Sequence, residues 1–455
     1  MDTEKDNTKN TEKTETGENS QAVDVTEGAR DESERAPGEK TAVSFSANGG
    51  TRSVGVEFRE DLFSHDSAQY DHELARFCAE FAMLGYGLMR VGEDVPGETY
   101  QPENALDICG FEDVVSVRDT AVDEENYFIA RRKISAGEGE YTLVFAGYIG
   151  SYVGQWYTNF DSGRGLMHLG FADAADFAYT GLRRYLEKLN ADRRRVKLLL
   201  IGHSRGGAVA SLVAARLIRD EIFALPENIF AYTFASPNPT RHADRSDPKY
   251  SRIFNIINKE DFVTKCMPRE WGYGRYGVTL AFPEKDRSSR YNTLLSKVRG
   301  HFDSFYGAKY MPFRYGPRTV DKLFETITGT LKSVDDFYDV GLRSQGEKLS
   351  MQTYFTRTLC GLVGEPAGSK VPDAARNYML GTFINRYASC AELKAVASFF
   401  VLYEGIGSAT TGRISDTYFS YAHLAQTYCA YMLALDGDSL VRVDPPEAAG
   451  TPAEE

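Results

Sequence analysis

Apolar runs along this chain alternate with segments whose apolar residues recur every three or four positions. Tyr70 to Tyr86 carries Leu74, Phe77, Cys78, Phe81 and Leu84, the spacing of an amphipathic helix. Tyr141 to Ala146 is a compact apolar run closed by Gly147, which predicts a buried strand. His168 to Leu189 then predicts a helix, Lys197 to Gly202 a second buried strand, and the Ala- and Leu-rich Gly206 to Arg219 a helix packed on the sheet. Ile229 to Ala235 and Arg252 to Ile257 are two further strands. Strands alternating with helices imply an α/β fold, with a mostly parallel central sheet and helices on both faces. From about 286 to 413 buried strands disappear, which predicts an inserted helical region, read as a cap over the site. A final helix is expected over Asp416 to Leu435.

Charge changes the picture only at the ends. The net charge is −13, of which residues 1–40 hold −6 and residues 444–455 hold −4, leaving about −3 on the body. No basic stripe is present to neutralise phosphates, so nucleic acid is excluded as the expected partner. The polar N-terminal stretch has too few apolar residues to offset its ordering entropy. Residues 1–50 and 437–455 are therefore read as disordered acidic tails around a catalytic domain at 51–436. The N-terminus lacks the basic start and apolar run of a signal peptide, and the longest apolar run, Val396 to Tyr403, is too short to span a membrane. Cys78, Cys109, Cys266, Cys360, Cys390 and Cys429 are scattered without metal-ligand spacing and read as buried or free thiols. A cytoplasmic location is the expectation. The oligomeric state is open.

The chemistry is concentrated at Gly202-His203-Ser204-Arg205-Gly206. A serine hydroxyl becomes a nucleophile when its oxygen is presented to substrate beside a base. A sharp strand-to-helix turn does the presenting, and it needs small residues two places before and after the serine. Gly202 and Gly206 meet that need, directly after the apolar run Leu198 to Ile201 and directly before a helix-forming segment. Ser204 is the expected nucleophile, and the N–H of Arg205 the expected donor to an oxyanion. His203, inside the turn, is expected to pack rather than act as the base.

The segment LLLIGHSRGGAVASLVAARL (198–217) resembles the nucleophile region of class 3 lipases, and more closely that of the bacterial lipase-like group related to Mbeg1-like proteins. VFAGYIGSYVGQWYTNF (144–160), MHLGF (167–171), YTFASPNPT (232–240), IFNIINKEDFVTKCMPREWGYGRYG (253–277) and YAHLAQTYCAYM (421–432) follow in the matching order. The resemblance implies an α/β-hydrolase fold, hydrolysis of carboxylic esters, and a Ser-Asp-His triad in that chain order. It also implies that His168 is structural.

Asp261 matches the motif of the acid and lies four residues past the strand Arg252 to Ile257. Glu260, Asp244, Asp247 and Asp286 read as solvated surface charges. Three histidines follow Ser204: His242, His301 and His423. His242 precedes the acid and breaks the order. His301 has the shorter interval from Asp261, whereas His423 matches the C-terminal histidine motif and is read as opening a helix. His423 is the preferred base and His301 the alternative. Where the family carries Arg-Gly-Thr or Arg-Gly-Ser, this chain has Ala146-Gly147-Tyr148, so Tyr148 is the expected second oxyanion donor, without the short hydroxyl. No phosphate loop, metal cluster or dinucleotide fingerprint appears, and no cofactor is implied. The expected ligand is a small ester or lipid. A thioesterase or acyltransferase on the same triad, and a catalytically weak binding protein of the same fold, are the alternatives.

Overall fold

The computed structural model describes residues 40–443, interrupted at 48–49, 89–101, 119–123, 138, 151–155, 160, 286–287, 308, 311–316, 340, 345–346 and 351–418. In chain order its strands and principal helices are β1 (Thr41–Ala47), β2 (Gly50–Val56), α1 (His72–Leu84), α2 (Pro102–Ile108), β3 (Glu112–Val117), β4 (Asn126–Ala136), β5 (Gly139–Ile149), α3 (Trp156–Asn159), α4 (Leu169–Leu189), β6 (Val196–His203), α5 (Arg205–Asp220), β7 (Ile229–Phe234), β8 (Ile253–Ile257), β9 (Val278–Ala281), α6 (Ser289–Tyr306), α7 (Pro317–Thr330), α8 (Val334–Asp339), β10 (Gly341–Ser344), β11 (Glu347–Ser350), α9 (Phe419–His423), α10 (Ala425–Ala434) and β12 (Val441–Arg442).

Eight strands form one sheet in the order β12-β9-β8-β7-β6-β5-β4-β3. β5 to β9 are parallel, while β3, β4 and β12 add antiparallel edges. β6, at the centre, is buried at every position, which is why it reads as an unbroken apolar run. Phe145, Leu199, Ile201 and Phe254 face one core with α1, α6 and α10. Val144, Leu198, Leu200 and Ile229 face the other with α4 and α5. Helices thus cover both faces of a mostly parallel sheet, the α/β-hydrolase arrangement.

Several boundaries differ from the sequence reading. Residues 41–50, assigned to the tail by composition, lie largely in the β1–β2 hairpin. Val43, Phe45, Val54 and Val56 of that hairpin bury into the same core as α6. Val441 and Arg442, assigned to the C-terminal tail, pair with β9. In the region expected to be an inserted cap, α6 is instead a core element: Leu295, Val298, Phe302 and Phe305 are buried in the core that α1 shares, with α6 packed on α10 and β2. β10 and β11 form a hairpin where only helices were expected. α7 and α8 do rest on loops near the nucleophile end of the sheet. Arg164 pairs with Asp335 and Asp339 of α8, Lys265 with Asp321 of α7, and Trp271 Nε1 donates to the Leu331 carbonyl. The rest of the expected insertion, 351–413, lies outside the described residues. Among the described residues, no helix is long and apolar enough to cross a membrane.

Candidate active site

The turn between β6 and α5 presents Ser204 at φ 59° and ψ −126°, in the left-handed φ range that costs a non-glycine residue about 1–3 kcal/mol. Its amide donates to the Phe234 carbonyl at 2.9 Å, which ties the turn to the end of β7. A Cβ on Gly202 would overlap the Gly206 carbonyl oxygen, and one on Gly206 would overlap that of Tyr148. Both glycines are therefore demanded by close backbone approach, the reason the motif spaces them around the serine.

His423 Nε2 stands 2.9 Å from Ser204 Oγ, and its Nδ1 stands 2.9 Å from Asp261 Oδ2. A carboxylate only accepts, so the ring is protonated at Nδ1 and accepts the serine proton at Nε2. His423 does not open a helix, as the pattern predicted. It is the last residue of α9, and Leu424 then turns extended (φ −60°, ψ 139°) to cap α10. His301, the alternative base, lies on α6 with its ring near Phe305. Burial, then Arg76, Lys40 and Lys297, lower its pKa. The structure brings His423, not His301, to Ser204 and Asp261.

Asp261 is fully buried at the start of a 3-10 turn, where it also accepts from the Val263 amide at 3.0 Å. Tyr428, on α10, donates its hydroxyl to Asp261 Oδ2 at 2.8 Å and accepts from the Asn258 amide at 2.9 Å. The sequence does not single out Tyr428 as a partner of the acid. α10 is buried on nearly every side, and no local pattern names the partner of Tyr428. Thr264 Oγ1 donates to the Asp261 carbonyl at 2.7 Å. Arg275, buried and pushed down to about 9 by that burial, donates to the Ser236 and Thr264 carbonyls and braces the same loop. Glu260, read as a solvated charge, is buried instead.

The other histidines have packing roles. His203 is buried with Nδ1 2.5 Å from the Tyr86 hydroxyl, and burial, then the His423 ring, hold its pKa well below the ordinary value. His168 caps α4 by accepting from the Phe171 amide at 3.3 Å, and burial pushes it down to about 3. His242, half-buried, stands at the start of a 3-10 turn and its side chain makes no cap bond there.

The oxyanion donors divide. Arg205 begins α5, so its peptide lies beside Ser204 at the positive end of the helix dipole. Tyr148 differs from expectation. β5 runs past it to Ile149, with Tyr148 opposite Tyr127 of β4 and Gly202 of β6. A central-strand amide points at one neighbour or the other, and pairing continues beyond Tyr148 on both sides. Tyr148 is thus a paired residue of β5 rather than part of a loop, and its phenol is buried in the core with α4 and α5.

Beside the turn lies a buried ion pair that sequence reading did not anticipate, Arg205 with Glu125 at 2.9 Å. Burial, only partly offset by Arg205, pushes the Glu125 carboxyl up to about 7. Among the described residues, no group of three His, Cys, Asp or Glu is placed to hold a metal ion. Among the described residues, Cys78, Cys266 and Cys429 are free thiols.

Residues 142–271 match the family model described as Lipase (class 3). No curated protein matches the chain. Among solved structures it is similar to a mutant form of MDLA from Penicillium cyclopium, at 19% identity over 48% of this chain and 81% of that one, TM-score 0.35. It is also similar to the triacylglyceride lipase of Rhizomucor miehei, at 18% identity over 47% of this chain and 82% of that one, TM-score 0.33.

Proposed function

We propose that this protein is a lipase-like serine hydrolase that cleaves carboxylic esters through Ser204, His423 and Asp261. The observation that carries the reading is the unbroken line from Ser204 Oγ to His423 Nε2 to Asp261 Oδ2, each step 2.9 Å. Its members come from a strand–helix turn, a loop after β8 and the end of α9, which share no local sequence. Ser204 Oγ attacks the ester carbonyl carbon as its proton passes to His423 Nε2, and Asp261 stabilises the resulting imidazolium. The Arg205 N–H donates to the carbonyl oxygen as it gains charge. His423 returns the proton to the departing alcohol, leaving an acyl-enzyme. It then takes a proton from the water that attacks the acyl carbon and passes it to Ser204 Oγ as the acid departs. The class 3 lipase match over 142–271 supports this reading. The nearer kinship with the bacterial Mbeg1-like group rests on the ordered motifs between 144 and 432.

The test is labelling by a fluorophosphonate, with hydrolysis of nitrophenyl esters of graded acyl length. The wild type should be labelled at Ser204, and Ser204→Ala should lose labelling and about a thousandfold or more in rate. A Ser204→Ala protein that keeps a tenth of wild-type hydrolysis sinks the proposal. Transfer of the acyl group to an added alcohol or thiol, in preference to water, would point to an acyltransferase instead.

A further inference from the structure

Arg205 puts a charge where the local fold least favours one. It is the first residue of α5, where a cation opposes the helix dipole, and it is only 3% exposed. Its side chain nevertheless uses every donor of the guanidinium. Nε donates to Glu125 Oε2 at 2.9 Å, and Nη1 to Thr158 Oγ1 at 3.0 Å and Asn159 Oδ1 at 2.7 Å. Nη2 donates to the carbonyls of Gly170 at 3.1 Å and Glu124 at 3.4 Å. The acceptors belong to three segments: the approach to β4, α3, and the first turn of α4. Gly150, just past β5, passes so close that a Cβ on it would lie 3.1 Å from the Arg205 Cβ.

A planar fork with all its donors engaged cannot turn without breaking several bonds at once. The residue before it, Ser204, holds a strained conformation that persists only where its surroundings over-determine it. We infer that Arg205 is a positioning residue: its guanidinium, neutralised by Glu125, anchors the Ser204–Arg205 peptide and so holds both the nucleophile and the adjacent N–H in place. The inference rests on the ester-hydrolase reading and adds a side-chain role to it. Glu125 supplies the counter-charge that lets an arginine be buried here. Its Oε1 makes no hydrogen bond among the described residues, so neutralising Arg205, rather than bridging other groups, is the role its contacts support.

Removing Arg205 alone strands a buried carboxylate, so the primary variant is Arg205→Met combined with Glu125→Gln. Arg205→Lys is made in parallel; it keeps the charge pair but replaces the fork with a point donor. The measurements are kcat and KM on a short-chain nitrophenyl ester, the rate of fluorophosphonate labelling, and the melting temperature. The double variant should keep KM within about twofold while kcat and labelling fall by about 10- to 100-fold, the loss expected when a reacting group shifts by around an ångström. Arg205→Lys should recover part of that loss, and it supplies the comparison by itself if the double variant does not fold. A folded double variant, or Arg205→Lys if it alone folds, with kcat within about twofold of wild type overturns the inference, whatever its melting temperature. A wild-type protein that is not labelled at Ser204 overturns the hydrolase reading itself, and the inference with it.

Discussion

Tyr428 and His423 place their protons on the same oxygen of Asp261, at 2.8 and 2.9 Å. The tyrosine hydroxyl in turn accepts from the Asn258 amide, so the carboxylate ends a short hydrogen-bond chain whose members polarise one another. Tyr428 lies one turn into α10, just past the break at Leu424 that follows His423. One short stretch of chain therefore orients both the base and the acid it leans on.

Tyr428→Phe should lower kcat about tenfold with KM nearly unchanged, because the acid loses one of the bonds that aim it at His423. It should also cost about 1–3 kcal/mol of stability, since the buried Asn258 amide is left unpaired. Steady-state kinetics and thermal melts check both. An unchanged kcat would mean that Val263 and His423 alone hold Asp261.

His423→Ala should remove hydrolysis and fluorophosphonate labelling together, losing about a thousandfold or more. His301→Ala should leave the rate within about twofold, because that ring packs beside Phe305 on α6. Loss of labelling in the His301 variant alone would reverse the assignment of the base.

Gly206→Ala should be more damaging than its size suggests. Its Cβ would overlap the Tyr148 carbonyl oxygen, a backbone atom held in the central sheet. Overpacking costs about 1–3 kcal/mol, and more where the obstructing atom cannot give way. The expected result is poor soluble yield, or a melting temperature lower by many degrees, with little activity. A stable and active Gly206→Ala protein would show slack in the turn.

Glu80, on α1, is buried with Lys40 as its distant partner at 3.8 Å, and burial pushes its carboxyl from 4.5 up to about 7. The folded state thus holds this proton more tightly than the unfolded chain does. The stability it contributes is fully present below about pH 4.5 and is lost as the pH rises toward 7. Glu80→Gln should therefore match the wild type near pH 4.5 and exceed it by roughly 2–4 kcal/mol at pH 8. Urea unfolding of both proteins across that range reads the difference. A variant less stable than wild type at pH 8 would show that the Lys40 link outweighs the burial.

The stretch from Val196 to Asp220 could be read from the chain because its causes are local. Burial on both faces makes β6 continuously apolar, and the glycines at 202 and 206 mark a turn that only small residues permit. The parallel order of β5 to β8 followed from the same pattern. β4 was hidden because Arg131, Arg132 and Lys133 interrupt its burial, and the β1–β2 hairpin because its charged neighbours resemble tail. Asp261 was within reach through a motif beside a strand, and His423 through a motif with a rival. Choosing between His423 and His301 needs the meeting of residues 219 positions apart, which packing of α9 and α10 on the sheet decides. The same holds for Tyr428 on Asp261, for Glu125 under Arg205, and for the extra length of β5 that takes Tyr148 into the sheet. Those are contacts between distant segments, and no periodicity along one segment encodes its partner.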